Sequence, residues 1–368
     1  MAPRDTHARA VVAARLRAQG LVEPAATNGE AVVRRLLAVQ AQDGRGARLA
    51  IRSRSTGLRA ADVDHALSVT RSLVVTWLNR GTLHLVTSDD YWWLHPLTTP
   101  QLAATSRRRL SQEGVSPAEA ERGIDVVVDA VTRDGPQTRD QLRERLDAAG
   151  VPTARQALVH VLLAATLRGH VVRGPVVDGD QAFVSTTDWL GPPPPPLDPD
   201  EALGRLARRY LEGHAPATVA DLAKWAGITL SVARRAFAVI ADDVETFGPP
   251  DAGLVWLGAE TGRTTDPLPT RLLGPYDPLL HGWTSREMFV GRYGHVVTSN
   301  GVFRPVALDR GRVVATWRLA GGEVTIDPLE PIPARTRAAL MDDAADVLRF
   351  LDLPRRSRRT KTSAGNAG

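Results

Sequence analysis

The sequence predicts a mainly α fold with β wings: three tandem winged helix-turn-helix units followed by a β-rich C-terminal element. The first sign is a repeated phrase. Pro136, Thr138 and Leu142 in GPQTRDQLRERL recur as Pro216, Thr218 and Leu222 in APATVADLAKW, each pair 80 residues apart. After each copy, a short turn leads into a second apolar-periodic stretch, ARQALVHVLLAATL and LSVARRAFAVI, which is the helix–turn–helix layout. The second sign is that pairs of β-rich runs follow the helices, as wings do. The third is a change of pattern near Thr264, where aromatic, irregular sequence gives way to strands. With 368 residues, 43% of them hydrophobic, the chain can bury several cores.

The first unit, residues 1–115, opens with an amphipathic helix from His7 to Gln19 that stops at Gly20. Thr27 and Glu30 have capping-box spacing before the apolar run VVRRLLAV, so a second helix is expected there. A third runs from Ala61 to Ser68, with Asp62 and Asp64 in the first turn, where the helix dipole favours acids. SLVVTWL and TLHLVT then form a hairpin across Asn79-Arg80-Gly81.

The second unit, residues 116–191, begins with a helix after Ser116. Thr138, with Gln141 at the box position, caps the next helix and Thr153 caps the third; HVVR and AFVST flank a wing at 174–180. The third unit, 192–263, follows the extended spacer Pro192–Pro196. Its helices start near Asp200, Thr218 and Leu230, and VETF with LVWLG forms its wing. In the C-terminal element, 264–353, GHVVTS, VFRPVAL and RVVATWRL read as strands, the last two joined across Asp309-Arg310-Gly311. A final helix over ARTRAALMDDAADVLRFL closes it, and the basic tail 354–368 is expected to be disordered.

Composition narrows the function. Without cysteine there are no disulfides, thiolate zinc sites or iron–sulfur clusters. No apolar run approaches the roughly 20 residues that span a bilayer, and the charged N-terminus is not a secretory signal. No membrane partner, no metal and no cofactor are expected. The net charge is +5, but the tail alone holds Arg355, Arg356, Arg358, Arg359 and Lys361, which leaves 41 basic against 41 acidic residues elsewhere. Distribution therefore matters more than the total. Residues 41–60 hold Arg45, Arg48, Arg52, Arg54 and Arg59 against Asp43 alone, and 281–320 hold six arginines against Glu287 and Asp309. Such clusters on a neutral body suggest a phosphate-facing surface. An Arg-rich composition that scatters the residue everywhere would produce the same counts.

Phosphate-binding glycine loops, metal-binding histidine pairs and Gly-x-Ser-x-Gly elbows are all absent. Lysine occurs only at Lys224 and Lys361, which argues against Schiff-base chemistry on DNA. What remains is LLAVQAQDGRGARLAIRSR, with Gln40 and Gln42 where a helix is expected to unwind at Gly44 and Gly46. In a continuing helix these positions lie about 200° apart; in extended chain they point the same way. Two converging carboxamides offer donors and acceptors enough to hold one water. Two glutamines decorating a helix end is the plainer alternative.

Several stretches together resemble the winged-helix DNA glycosylases typified by AlkZ and YcaQ: Gln40-Ala41-Gln42, RGTLHLVT (80–87), GPYDPLLHGW (274–283) and FRPVAL…GRVVATWR (303–318). The resemblance spans nearly the whole folded length. It implies a catalytic Gln-x-Gln pair at Gln40 and Gln42, as in the AlkZ branch. The implied reaction is monofunctional hydrolysis of N7-alkylated purines, including interstrand crosslinks, for DNA repair or self-resistance to an alkylating natural product. A cationic N7-alkylguanine needs no strong acid to leave; it needs a placed water and support for the sugar cation. Asp43 or the target's own phosphate are the two sources of that negative charge. A crosslinked base cannot swing freely, so the cleft is expected to be shallow and open.

Arg80, Thr82 and His84 alternate onto one strand face. They form either a wall of the lesion site or, more plainly, a turn cation and a satisfied sheet histidine. Arg45, Arg48, Arg52 and Arg54 are expected to grip the duplex, as are Arg310 and Arg312 on a short hairpin suited to a minor groove. The partner is double-stranded DNA carrying alkylated or crosslinked purines, met by a monomer in the bacterial cytoplasm, at the nucleoid. The rival reading is a non-enzymatic winged-helix transcriptional regulator.

Overall fold

The computed structural model describes residues 3–177, 179–258 and 268–354. The basic tail and the expected boundary at residue 264 lie outside the described residues. Helix α1 (Pro3–Ala18) ends at Gly20, whose φ of 69° turns the chain. Helix α2 (Gly29–Leu36) is capped by Asn28, which accepts from Ala31 N, and not by Thr27. Asn28 has the extended backbone that a cap requires, and Thr27 lies one residue too far out. Leu37, at φ 63°, stops α2, and strand β1 (Val39–Gln40) follows.

Helix α3 (Gly44–Arg52) departs from the expected unwinding. Asp43 caps it, accepting from Gly46 N at 2.7 Å, so Gly44 and Gly46 begin a helix instead of ending one. A Cβ on Gly46 would sit 2.4 Å from Pro275 O, so glycine here permits contact with the C-terminal element. Next come α4 (Ala60–Ser68) and the expected hairpin of β2 (Leu73–Leu78) and β3 (Thr82–Thr87). Two further helices that the sequence does not announce, α5 (Ser88–Thr98) and α6 (Pro100–Gln112), complete the first part. The internal Pro96 and a mixed apolar pattern hide α5 from a periodicity argument.

The second unit runs α7 (Pro117–Asp134), α8 (Arg139–Ala148), α9 (Ala157–Leu167), β4 (Val171–Val177) and β5 (Asp180–Ser185). The boxes at Ser116/Glu119 and Thr138/Gln141 form. Thr153 does not cap α9: its hydroxyl donates to Asp147 at 2.6 Å, and the helix starts later. A short α10 (Thr186–Leu190) precedes the third unit: α11 (Pro199–His214), α12 (Val219–Ala226), α13 (Leu230–Val239) and a two-stranded wing of β6 (Glu245–Thr246) and β7 (Val255–Trp256). The repeat is structural. Gln137 bridges to Phe183 in β5 and Ala217 to Val255 in β7, so the residue after each repeated proline ties a helix pair to its wing. Leu142 and Leu222 are both fully buried beneath them.

The C-terminal element holds β8 (Thr270–Leu273), α14 (Glu287–Val290), β9 (Val306–Asp309), β10 (Arg312–Ala320), β11 (Glu323–Pro328) and α15 (Ala334–Phe350). Its sheet has the order β11-β10-β9-β8. GHVVTS is not a strand. It forms a 3-10 turn at Gly294–Val296, and Val297 makes one bridge to Phe303. Strand β11 escapes a sequence reading because it is short and partly exposed, and its acids dilute the β signal.

Two features lock the parts together. The wing of the second unit extends the first hairpin, through Val75 opposite Arg173, into the sheet β1-β3-β2-β4-β5. Arg54 grips Asp277 with two bonds of 2.8 and 2.9 Å while its Nε donates to Gln19 O, and both charged side chains are almost wholly buried. All eight tryptophans belong to the three cores or pack against them. Among the described residues no helix is long and apolar enough to cross a membrane.

Removing one partner of a buried ion pair strands the other's charge, which costs about 3–5 kcal/mol. Arg54→Ala should lower the unfolding free energy by that order in urea denaturation. Arg54→Met combined with Asp277→Leu should cost clearly less; equal losses would deny the pair its structural role.

Candidate active site

Gln40 closes β1, and Gln42 lies two residues on in non-helical chain. The strand pairs antiparallel with β3, Gln40 standing opposite His84, and Ala41 N donates to Leu83 O at 2.7 Å. Extended backbone turns both carboxamides the same way. Gln40 Nε2 donates to Gln42 Oε1 at 2.8 Å, with Gln40 only 7% exposed and Gln42 open to solvent.

The pair faces a cavity of about 340 Å³. The first part of the chain contributes Arg80 and Thr82 to its walls, and α12 of the third unit contributes Lys224. The C-terminal element adds His281, Arg286, Phe303 and the Asn300-Gly301 turn. The site is thus assembled from three stretches far apart in sequence. Gly227, at φ 70°, lets α12 end against the hairpin turn; a Cβ there would lie 2.8 Å from Asn79 O. Asp221 accepts from both Thr284 N and its hydroxyl, and Lys224 Nζ donates to Thr284 O at 2.8 Å, so α12 holds the loop carrying His281 and Arg286. His281 rests on Phe303, ring centroids 3.8 Å apart.

Three cleft atoms are buried without a hydrogen-bond partner among the described residues: Gln40 Oε1, Thr82 Oγ1 and His281 Nε2. An unpaired buried polar atom costs roughly 1–3 kcal/mol, so three in one cavity mark a place that a polar guest completes. The electrostatics are one-sided. Arg80 donates to Trp225 O, Lys224 to Thr284 O and Arg286 to Leu280 O, and among the described residues no carboxylate lines the cavity. Burial, then Arg80 and the neighbouring His84, Arg286 and Lys224, hold His281 well below the ordinary histidine range, so its ring is neutral. Among the described residues no three histidine, aspartate or glutamate side chains converge as metal ligands.

The structure redistributes the sequence-predicted residues. Gln40, Gln42, Arg80 and Thr82 line one cleft. His84 stands behind them, buried, with its Nδ1 2.9 Å from Thr82 O. Asp43 is occupied as the cap of α3. Arg52 and Arg54 do not face DNA: both are buried, Arg52 bonded to Asp343 and Arg54 to Asp277. Arg52 ends α3 on its buried face and Arg54 lies in the turn just after it, and each meets a carboxylate inside. Arg48 is paired with Asp64, while Arg45, Arg310 and Arg312 are exposed. Arg310 and Arg312 border a second cavity, of about 780 Å³, together with Glu287. Of the residues not singled out from sequence, Lys224 carried a usable signal, as the lone lysine among the arginines of the folded part. Arg286 carried one only as a member of the basic stretch 281–320, and Asn300 carried none.

A cationic cleft built from the first hairpin, helix α12 and the C-terminal loop suits a protein that handles an anionic polymer such as DNA. The family described as DNA glycosylase AlkZ-like matches residues 33–350, and the chain belongs to that family. It is an enzyme of the class that hydrolyses N-glycosyl bonds. It is 27% identical over 366 residues to the interstrand DNA cross-link repair glycosylase of Streptomyces sahachiroi, covering 93% of this chain and 95% of that one. The solved structure of Streptomyces sahachiroi DNA glycosylase AlkZ superposes with a TM-score of 0.77 at 26% identity, over 94% of this chain and 96% of the other.

Burial penalises the charged ring at three interior histidines, lowering His84 and His214 to about 3 and His95 to about 4 from the ordinary 6.5. The unfolded chain takes up protons from about 6.5 downward while the native state resists. Stability should therefore be level above that pH and fall as acidification proceeds toward about 3. Urea midpoints measured from about pH 7.5 to about pH 5 should drop, and His214→Gln or His95→Gln should flatten the slope.

Proposed function

We propose that this glycosylase is monofunctional, acts on N7-alkylated purines and unhooks interstrand crosslinks in double-stranded DNA, with Gln40 and Gln42 orienting the attacking water. The observation that carries the reading is the 2.8 Å bond from Gln40 Nε2 to Gln42 Oε1, which turns both side chains together and leaves Gln40 Oε1 without a partner. A water seated there donates to Gln40 Oε1 and accepts from the Gln42 amide. Thr82 and the neutral His281 supply the remaining hydrogen bonds. The positive charge on an N7-alkylpurine has already weakened the C1′–N9 bond, so holding water in line is the principal task left to the protein. The crosslink specificity is supported by the name of the Streptomyces sahachiroi relative. Membership of a glycosylase family disfavours the non-enzymatic regulator.

The protein works as a monomer on the duplex in this reading, with Arg45, Arg310 and Arg312 reaching the phosphates.

Gln40→Ala with Gln42→Ala should reduce excision of N7-methylguanine from duplex DNA by about 100-fold or more. Abasic-site formation would be scored by alkaline cleavage, with duplex binding largely kept. Loss of binding together with activity, in a folded variant, would remove the water-positioning role. For Arg310→Ala with Arg312→Ala, excision of a saturating substrate should persist. The slope of log affinity against log salt should become shallower by about one for each phosphate no longer neutralised.

A further inference from the structure

The glutamine pair leaves one requirement of the reaction unassigned: the negative charge that steadies the sugar cation. Asp43 caps α3 and does not line the cleft, and among the described residues no lining side chain is acidic. The cleft presents instead Arg80, Lys224 and Arg286, each held by a main-chain carbonyl oxygen. Four arginines of the 41–60 stretch differ. Arg48, Arg52, Arg54 and Arg59 all bond to aspartates. A carbonyl oxygen fixes a cation's position without cancelling its charge. The three cations are close enough to feel one another: after burial, Arg286 and Arg80 both push the Lys224 ammonium downward, with Asp221 on the same helix opposing them in part. A positively charged base would enter this cleft against repulsion unless an anion came with it.

We infer that Arg80, Lys224 and Arg286 form a seat for the phosphodiester flanking the damaged nucleotide. The substrate's own phosphate, brought beside the sugar, then supplies the charge that the protein lacks. The seat rests on the glycosylase reading given above. It orders the chemistry: the phosphate neutralises the cleft, the cationic nucleotide follows, and the water at Gln40 and Gln42 attacks C1′. As the new C1′–O bond forms, the C1′–N9 pair departs onto the purine, discharging its positive charge. The water's proton passes to solvent, and no bond to the phosphate is made or broken. The carbonyl partners keep the three cations in place before substrate arrives, so little reorganisation accompanies binding.

The test is a thermodynamic cycle between protein and substrate. Duplexes carrying one N7-methylguanine would be made with a neutral methylphosphonate at either the 5′ or the 3′ flanking linkage. One neutral linkage should lower kcat/KM of the native protein by about 10- to 100-fold, the range for a charge-assisted hydrogen bond. Lys224→Gln and Arg286→Gln should lose a similar factor on the all-phosphate duplex and little more on the neutral one. Lys224→Arg, which keeps the charge, should restore most of the rate. Native protein indifferent to both neutral linkages, or losses that multiply in the cycle, would overturn the seat while leaving the glycosylase reading intact. No excision of the all-phosphate duplex by native protein would overturn that reading and the seat with it.

Discussion

The buried pair of Arg54 and Asp277 is the constraint from which the site's geometry follows. Arg54 follows α3, which begins directly after the Gln-x-Gln segment; Asp277 opens the loop that delivers His281 and Arg286. Two bonds in a dry environment fix distance and orientation together, where one would leave a hinge. Gln19, which accepts from Arg54 and donates to Gly213 O, carries the same constraint on to α11. Glutamines, cations and stacked rings can therefore belong to three distant stretches of chain and still face a common cavity.

A second division of labour is electrostatic. Most arginines near the site are neutralised by aspartates and serve the scaffold: Arg52 and Arg54 inside, Arg48 and Arg59 outside. The cations left facing the cavity are fastened to carbonyl oxygens and keep their charge. At this site, aspartate-paired arginines hold the fold, and the three cations lining the cleft are the carbonyl-held ones. Counting arginines along the chain merges these populations, because sequence spacing does not reveal where the partner acid lies. Asp277 and Asp343 are more than 200 residues from the arginines they bind.

Much of the helical frame could be read directly. Thr138 with Gln141 is a local signal acting over three residues and its box forms, and the helix starts expected at Ser116 and Thr218 are found there. The β2–β3 hairpin was legible for the same reason. Legibility failed where a local signal had a competitor or was absent. Asn28 outcompeted Thr27, α3 began at glycines that read as a break, and GHVVTS had β-branched residues but no second strand to pair with. In the candidate site, Gln40, Gln42, Arg80 and Thr82 were within reach because they lie on one short stretch and its hairpin neighbour. Lys224 stood out only as a lone lysine, Arg286 only as one arginine of a basic stretch and Asn300 not at all, since their role depends on the packing of α12 and the C-terminal loop.

The sequence by itself determined the order of the helices, the doubled helix-turn-helix phrase and the presence of two carboxamides two residues apart. Those properties are encoded in capping, periodicity and turn chemistry over a few residues. Only the tertiary structure decided that the carboxamides sit on extended chain and share a cleft with three carbonyl-held cations. It also decided that two of the most prominent arginines are interior struts. Side-chain partnership across hundreds of residues is set by how whole layers pack, and no local pattern carries that information.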